Sequence, residues 1–384
     1  MSSKQFNGDR LKTARTYRGL TVAELAEKLG LQRQTVSMYE NNKICSPDYS
    51  TIQKMGDELG FPTEFFLQSN TIAVKTGSTY FRSLLTTTKK YRSEQIERIN
   101  FIGLLYSFIS EYINFPEPKL PEYNGNNPEE AAMLLRSSWR LGERPIDNLI
   151  YLVEQNGVLV SSFSAESNYI DAFSQLLDID HKSRYLIGYS DNKTTAARIH
   201  FDIAHELGHI LLHEWSEDVE ALSKDEFKEV ENQAHHFAGA FLLPRDTFLQ
   251  DLGTYGNYLD YYCELKRKWK VSISAMIRRA YTLGAITQFS YQQLMRTMQK
   301  RGIKKFEPLD ETLVTSEPAL LAAAVNMLLE QNVFSSREFV ETLAAEYSLS
   351  LTSTEIEKLL GLPAGKLAYE IVQPKHKLHL RLVK

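Results

Sequence analysis

The chain has 384 residues, 43% hydrophobic and 24% charged, with a formal net charge of −4. That length suggests two or three domains, the composition is that of an ordinary globular protein, and the negative balance confines any nucleic-acid contact to a local patch. Cys45 and Cys263 lie far apart with no C-x-x-C partner, which excludes a disulfide framework and fits a reducing cytosol.

The start, Met1-Ser-Ser-Lys-Gln-Phe6, lacks the apolar run of a secretory leader. The longest apolar runs, 101–109 and 319–329, are too short and interrupted to span a bilayer. A cytoplasmic protein with no membrane partner is expected.

Residues 1–70 read as an all-helical unit. A helix over 10–18 is followed by 21–30, where Thr21 caps, Glu24 completes a capping box and Gly30 terminates. A short turn leads to a polar helix over 32–40, and the stretch from Ile52 to Leu67 closes a small core. Helix, tight turn and polar second helix is the helix-turn-helix pattern. With Tyr39-Glu40 and the later Leu59-Gly60, it resembles the XRE/Cro family. In that geometry Gln32, Arg33, Gln34 and Ser37 face bases in the major groove of double-stranded DNA, where Arg pairs readily with G and Gln with A. Asn42 and Lys43 are expected at phosphates. Val22 stands where a polar Gln is frequent in the family, which removes one backbone contact. Such modules read half-sites a turn apart as dimers, so a homodimer is one expectation.

Residues 71–124 read as a helical connector, polar at first, with Ile96, Ile99, Ile102, Leu105 and Phe108 at helical spacing. In 125–250, helices are expected at 128–139 and 147–156. Strands are expected at 157–161, 172–173 and 185–189.

A largely apolar helix then carries His205-Glu206-Leu207-Gly208-His209. Residues four apart share one helix face, so His205 and His209 can address one ion, and Glu206 beside them is placed to take a proton from water. A third ligand must come from elsewhere. The helix predicted before Pro244 offers Glu231, with Glu229 the alternative if the register shifts, and His235 one turn on could orient a ligand. His213 stands about 12 Å above His205 along an unbroken helix, which suits a packing or hydrogen-bonding role.

The stretch from Arg198 to His213, together with Glu231-x-Gln233-Ala234 and Phe241-Leu-Leu-Pro244, resembles the ImmA/IrrE family of zinc metallo-endopeptidases. The resemblance implies a zincin-like domain holding one Zn2+ ion through His205, His209 and Glu231, with Glu206 as general base. His235 stands where members often carry Asn. The implied substrate is a specific protein, such as a helix-turn-helix repressor or antitoxin, in stress response or in control of mobile elements and phage. The last strand before the metal helix, 185–189, is the candidate edge for strand addition by substrate. Tyr189 and His236 are candidates for assisting the oxyanion.

Residues 251–384 read as a mainly helical regulatory domain. Arg278 and Arg279 are read as supporting the peptidase rather than contacting DNA, and 378–383 as a closing strand. The whole is expected to be mainly α with a small β-sheet (α+β). Two other functions fit the same residues: a non-proteolytic transcription factor with a structural or sensory zinc, and a member of a toxin-antitoxin module. Glu206, which a structural zinc does not need, favours the peptidase.

Overall fold

The computed structural model describes residues 5–42, 47–69, 75–81, 89–163, 172–179, 182–192, 195–213 and 222–369. Side-chain caps delimit the first helices. Asn7 accepts from the Asp9 amide to start α1 (Gly8–Tyr17), and Thr21 and Glu24 form a capping box on α2 (Val22–Leu29). Gly30, at φ 68°, ends α2 in the left-handed region. Then follow α3 (Arg33–Glu40), α4 (Tyr49–Leu59) and a 3-10 turn, Thr63–Leu67. Leu11, Leu25, Val36, Met55 and Phe65 form their buried centre. The start of α1 lies against the end of α3 so closely that a Cβ at Gly8 would stand 2.0 Å from the Tyr39 carbonyl oxygen. A paired contact from Arg15 to the buried Glu40 carboxylate, at 2.5 and 2.9 Å, ties the same two helices together.

The connector departs from its helical reading. It contributes strand β1 (Lys75–Phe81) before the long helix α5 (Lys89–Ser110). Then come α6 (Pro128–Ser138), α7 (Leu149–Gln155), β2 (Leu159–Phe163), β3 (Ala172–Ile179) and β4 (Lys182–Ser190). Gly157 does not begin a strand. It sits at φ 81°, and a Cβ there would meet the Glu117 carbonyl at 2.4 Å. The sheet order is β1-β3-β4-β2, antiparallel except for the β2–β4 pair.

β4 is therefore central. The expectation that 185–189 is a free edge is corrected, because both of its sides carry a partner strand. The outer side of β3 is lined by β1, with Tyr80 opposite Ser174.

Alternation along the strands gives the sheet two buried faces. Leu159, Phe163, Phe173, Leu177 and Leu186 enter one core with the N-terminal helices and α5, whereas Val160, Ala172, Ile187 and Tyr189 enter a second. That second core is built by α6 and α7 with α8 (Ala196–Leu212), α9 (Lys224–Leu242), α10 (Arg245–Leu252), α11 (Leu259–Trp269), α12 (Ile273–Thr282) and α13 (Gln288–Lys300). A buried Lys266, paired with Glu307 at 2.8 Å and Asp310 at 2.5 Å, fastens the segment after α13 onto it. Glu307 also accepts from the amides of Ile273 and Ser274 at the start of α12.

The helices α14 (Leu320–Glu330), α15 (Ser336–Glu346) and α16 (Ser353–Leu360) leave that core and join the first one. The region after 250 is thus divided between the two cores rather than forming one unit. Arg18 pairs with Glu355 at 2.7 Å, Tyr17 donates to the same carboxylate, and Arg10 donates to the Ser348 carbonyl. The expected closing strand at 378–383 lies outside the described residues.

Candidate metal centre and nucleic-acid interface

Helix α8 is apolar on nearly every side, which is the pattern of a helix enclosed by its neighbours. The sheet covers one side and α9 crosses another. The crossing is close because Gly208 has no side chain: a Cβ there would stand 3.1 Å from the Ala234 Cα and from the Phe237 ring. This small-residue contact brings Glu231 of α9 over the two histidines of α8.

His205 Nε2 and His209 Nε2 are 3.0 Å apart, and they lie 3.4 and 3.3 Å from the two carboxylate oxygens of Glu231. Donor atoms held 2.0–2.1 Å from a tetrahedral zinc are separated by roughly 3.3–3.4 Å. Two imidazoles and a carboxylate converging at these spacings fit a zinc ion. Burial holds His205 well below the usual histidine range, and so neutral. Burial opposes ionisation of Glu231, but its hydrogen bonds with His205 and His209 outweigh burial and hold the carboxyl below its ordinary range. A neutral imidazole and an ionised carboxylate are the forms that bind metal. Glu229, the alternative third ligand, is exposed on α9 and accepts from Gln233 instead.

Three further side chains fix these groups. Ser174 of β3 donates to Glu206 Oε2 at 2.6 Å, and both side chains are fully buried. His213 ends α8, with its Nδ1 at 3.1 Å from His209 Nδ1 and its Nε2 at 3.3 Å from Gln233 Oε1. With His209 Nε2 turned to the metal point, its Nδ1–H donates to His213, and His213 donates onward to Gln233. Burial, reinforced by His209, lowers the His213 pKa to about 4, consistent with this neutral relay. The hydrogen-bonding role expected for His213 is the one it has here. Ser174 and Gln233 had no assigned role in the sequence, because strand register and helix phase decide both contacts.

His235 is placed beside the ligands. Its Nδ1 donates to the Glu231 carbonyl at 2.7 Å, and its ring meets that of His205 edge to face at 4.4 Å. Beyond it a cavity of about 360 Å³ opens between α8, α9, α12 and α13. A smaller one of about 140 Å³ shares Phe201, His235 and Arg278 with it. His236 lines the smaller cavity. Tyr189 lines neither; it is buried near Glu317, Asp191 and Glu154. Arg279 is buried and supports α12, donating to Glu129 and to the Leu243 carbonyl.

On the N-terminal unit, Gln32, Arg33 and Gln34 are exposed at the start of α3, and Ser37 is half-buried one turn on. Asn42 is exposed, but its Oδ1 accepts from the Gly8 amide at 2.9 Å, so it also braces α1. Lys43 lies outside the described residues.

Comparison with known proteins agrees with both halves. Residues 153–281 match the family described as the IrrE N-terminal-like domain, and residues 11–66 match the helix-turn-helix family. The chain therefore joins an XRE-type helix-turn-helix domain to an ImmA/IrrE-type peptidase domain. Among curated proteins it is similar to the SPbeta prophage-derived uncharacterized HTH-type transcriptional regulator YonR of Bacillus subtilis, with 39% identity over 61 residues. That match covers 16% of this chain and 56% of the relative, so the chain spans little more than half of the relative's length. No helix among the described residues is long and apolar enough to cross a membrane.

Proposed function

We propose that this chain is a cytoplasmic transcriptional regulator whose second domain is a zinc-dependent endopeptidase acting on a specific protein. The observation that carries the reading is the triangle of His205, His209 and Glu231 donor atoms with Glu206 held beside it by Ser174. Zinc bound there would supply a Lewis acid that polarises a carbonyl and acidifies water. His205, His209 and Glu231 would hold the ion, and His213 and His235 would orient those ligands. Glu206 accepts the proton of the attacking water and returns it to the leaving amine. Ser174 aims that carboxylate.

The exposed start of α3 presents Gln32, Arg33, Gln34 and Ser37 to the major groove of DNA, with Asn42 and Lys43 at phosphates. The resemblance to a prophage-derived regulator supports a role in mobile-element or phage control for this half. A helix-turn-helix repressor or antitoxin is the substrate class the domain pairing favours, and a homodimer is the assembly that reads paired half-sites.

Complete burial of His205, Glu206 and His209 favours one second reading, a zinc that structures or senses without turnover. The proposal predicts one zinc per purified chain by elemental analysis, retained in Glu206→Gln and lost in His205→Ala and Glu231→Ala. Zinc retained in the two ligand variants contradicts the site.

A further inference from the structure

The larger cavity beside the metal centre carries two guanidinium groups, neither of them in an ion pair with a carboxylate among the described residues. Arg198 reaches it from α8, one turn before Phe201 and Asp202, and Arg278 reaches it from α12. Arg198 spends one donor on the Lys305 carbonyl at 2.6 Å, and neither arginine forms an ion pair among the described residues. The neighbouring Arg279 differs, since Glu129 pairs with it through both guanidinium nitrogens. Asp202 is the one acidic side chain among the described residues lining the larger cavity.

Among the described residues two arginines against one aspartate leave the cleft's lining net positive, with apolar walls at Phe201 and Met295. Guanidinium groups present fixed forks that match a carboxylate. Low-dielectric walls strengthen that attraction relative to open water. The cleft touches the metal centre through His235, which hydrogen-bonds the Glu231 backbone and meets the His205 ring. A peptide lying across the metal would therefore place a residue flanking its scissile bond in this cleft.

We propose that the Arg198–Arg278 cleft is a specificity subsite for a substrate carboxylate, either an acidic side chain near the scissile bond or the C-terminus of the chain being cut. The proposal rests on the peptidase reading. It also gives Arg278 a part that neither DNA contact nor support of the fold supplies: the side chain is exposed at the mouth of the cleft, whereas Arg279 alone is buried in the scaffold.

The test uses the zinc-loaded full-length Glu206→Gln chain, which binds without cutting, and fluorescein-labelled octapeptide libraries read by anisotropy. One library carries Glu at each position in turn and a C-terminal amide; a matched library carries Gln. A third carries Gln with a free C-terminal carboxylate. The expected result is tighter binding of one Glu register, or of the free carboxylate, by about tenfold over the amidated Gln peptides. Adding Arg278→Ala should remove the preference, Arg278→Lys should restore part of it, and Arg278→Glu should turn it toward Lys-bearing peptides. Whichever library shows the preference identifies the source of the carboxylate. Equal affinity for all three libraries overturns the subsite and leaves the peptidase reading standing. A preference that survives Arg278→Ala together with Arg198→Ala, with the unfolding temperature unchanged, also overturns it. Absence of binding by every peptide overturns the subsite and the peptidase reading together.

Discussion

Glu206 is buried beside the two histidines of the proposed metal centre, where a carboxylate is costly unless it is held and used. Ser174 holds it at 2.6 Å. Glu206→Gln keeps the size and the serine contact but removes the proton acceptor, so the variant should keep zinc and lose hydrolysis. His213 makes a separate claim at this scale. Its contact with His209 Nδ1 would set which nitrogen of His209 faces a bound ion, and loss of such a partner lowers metal affinity by roughly 10- to 100-fold. His213→Ala should show that weakening in competition with a chromogenic chelator, and His213→Gln should recover part of it; unchanged affinity in both would remove the positioning role. The motif residues nearest the metal point are legible from helical spacing alone, since i and i+4 fix a shared face. Ser174 is not, because its partner depends on the register of β3, which the sequence does not display.

At the scale of elements, the site depends on how closely α8 and α9 cross. Gly208 against Ala234 sets that distance, and a branched side chain at 208 must push the helices apart. Gly208→Val should therefore lower zinc affinity even though it alters no ligand, while Gly208→Ala should cost less; zinc binding by Gly208→Val equal to that of the wild type would contradict the crossing as the determinant. Both helices are readable as elements, α8 from its largely apolar sequence and α9 from its Ala and Phe stripe before Pro244. Strands are less legible. The segment 185–189 is a short apolar run, as a strand buried on both faces is, but that pattern cannot say whether partner strands lie along one edge or both. β1 is hidden in the sequence because Lys75–Phe81 carries Gly77 and several polar residues, and acquires its strand character by pairing with β3.

At the scale of the whole molecule, one sheet separates two cores and belongs to both. The chain returns after the peptidase core to cover the helix-turn-helix unit. This return is hidden in the sequence because helical periodicity shows that α14, α15 and α16 bury a face, but not against which partner. Glu355 is the charged link in that cover, beside the bonds from Arg10 and Gln68 to the Ser348 and Ala344 carbonyls. Burial would raise its pKa, but hydrogen bonds from Arg18 and Tyr17 outweigh burial and hold it below the ordinary 4.5. A carboxyl depressed in the folded state stabilises fully above its unfolded value and loses that contribution as pH falls through the folded one. Glu355→Gln should therefore cost about 1.5–3 kcal/mol in urea unfolding at pH 7, with the difference from wild type shrinking once the pH falls below 4.5. A difference independent of pH would show that shape, and not charge, joins the two units.

The same architecture places the helix-turn-helix unit and the proposed metal centre on opposite sides of one sheet. The most direct measurement of that account compares new protein N-termini in cells producing the wild type or Glu206→Gln, with and without stress. The account predicts one or a few termini that appear only with the wild type, within a single target protein. Identical sets of termini under every condition would contradict proteolysis and leave a regulator whose zinc serves as scaffold or sensor.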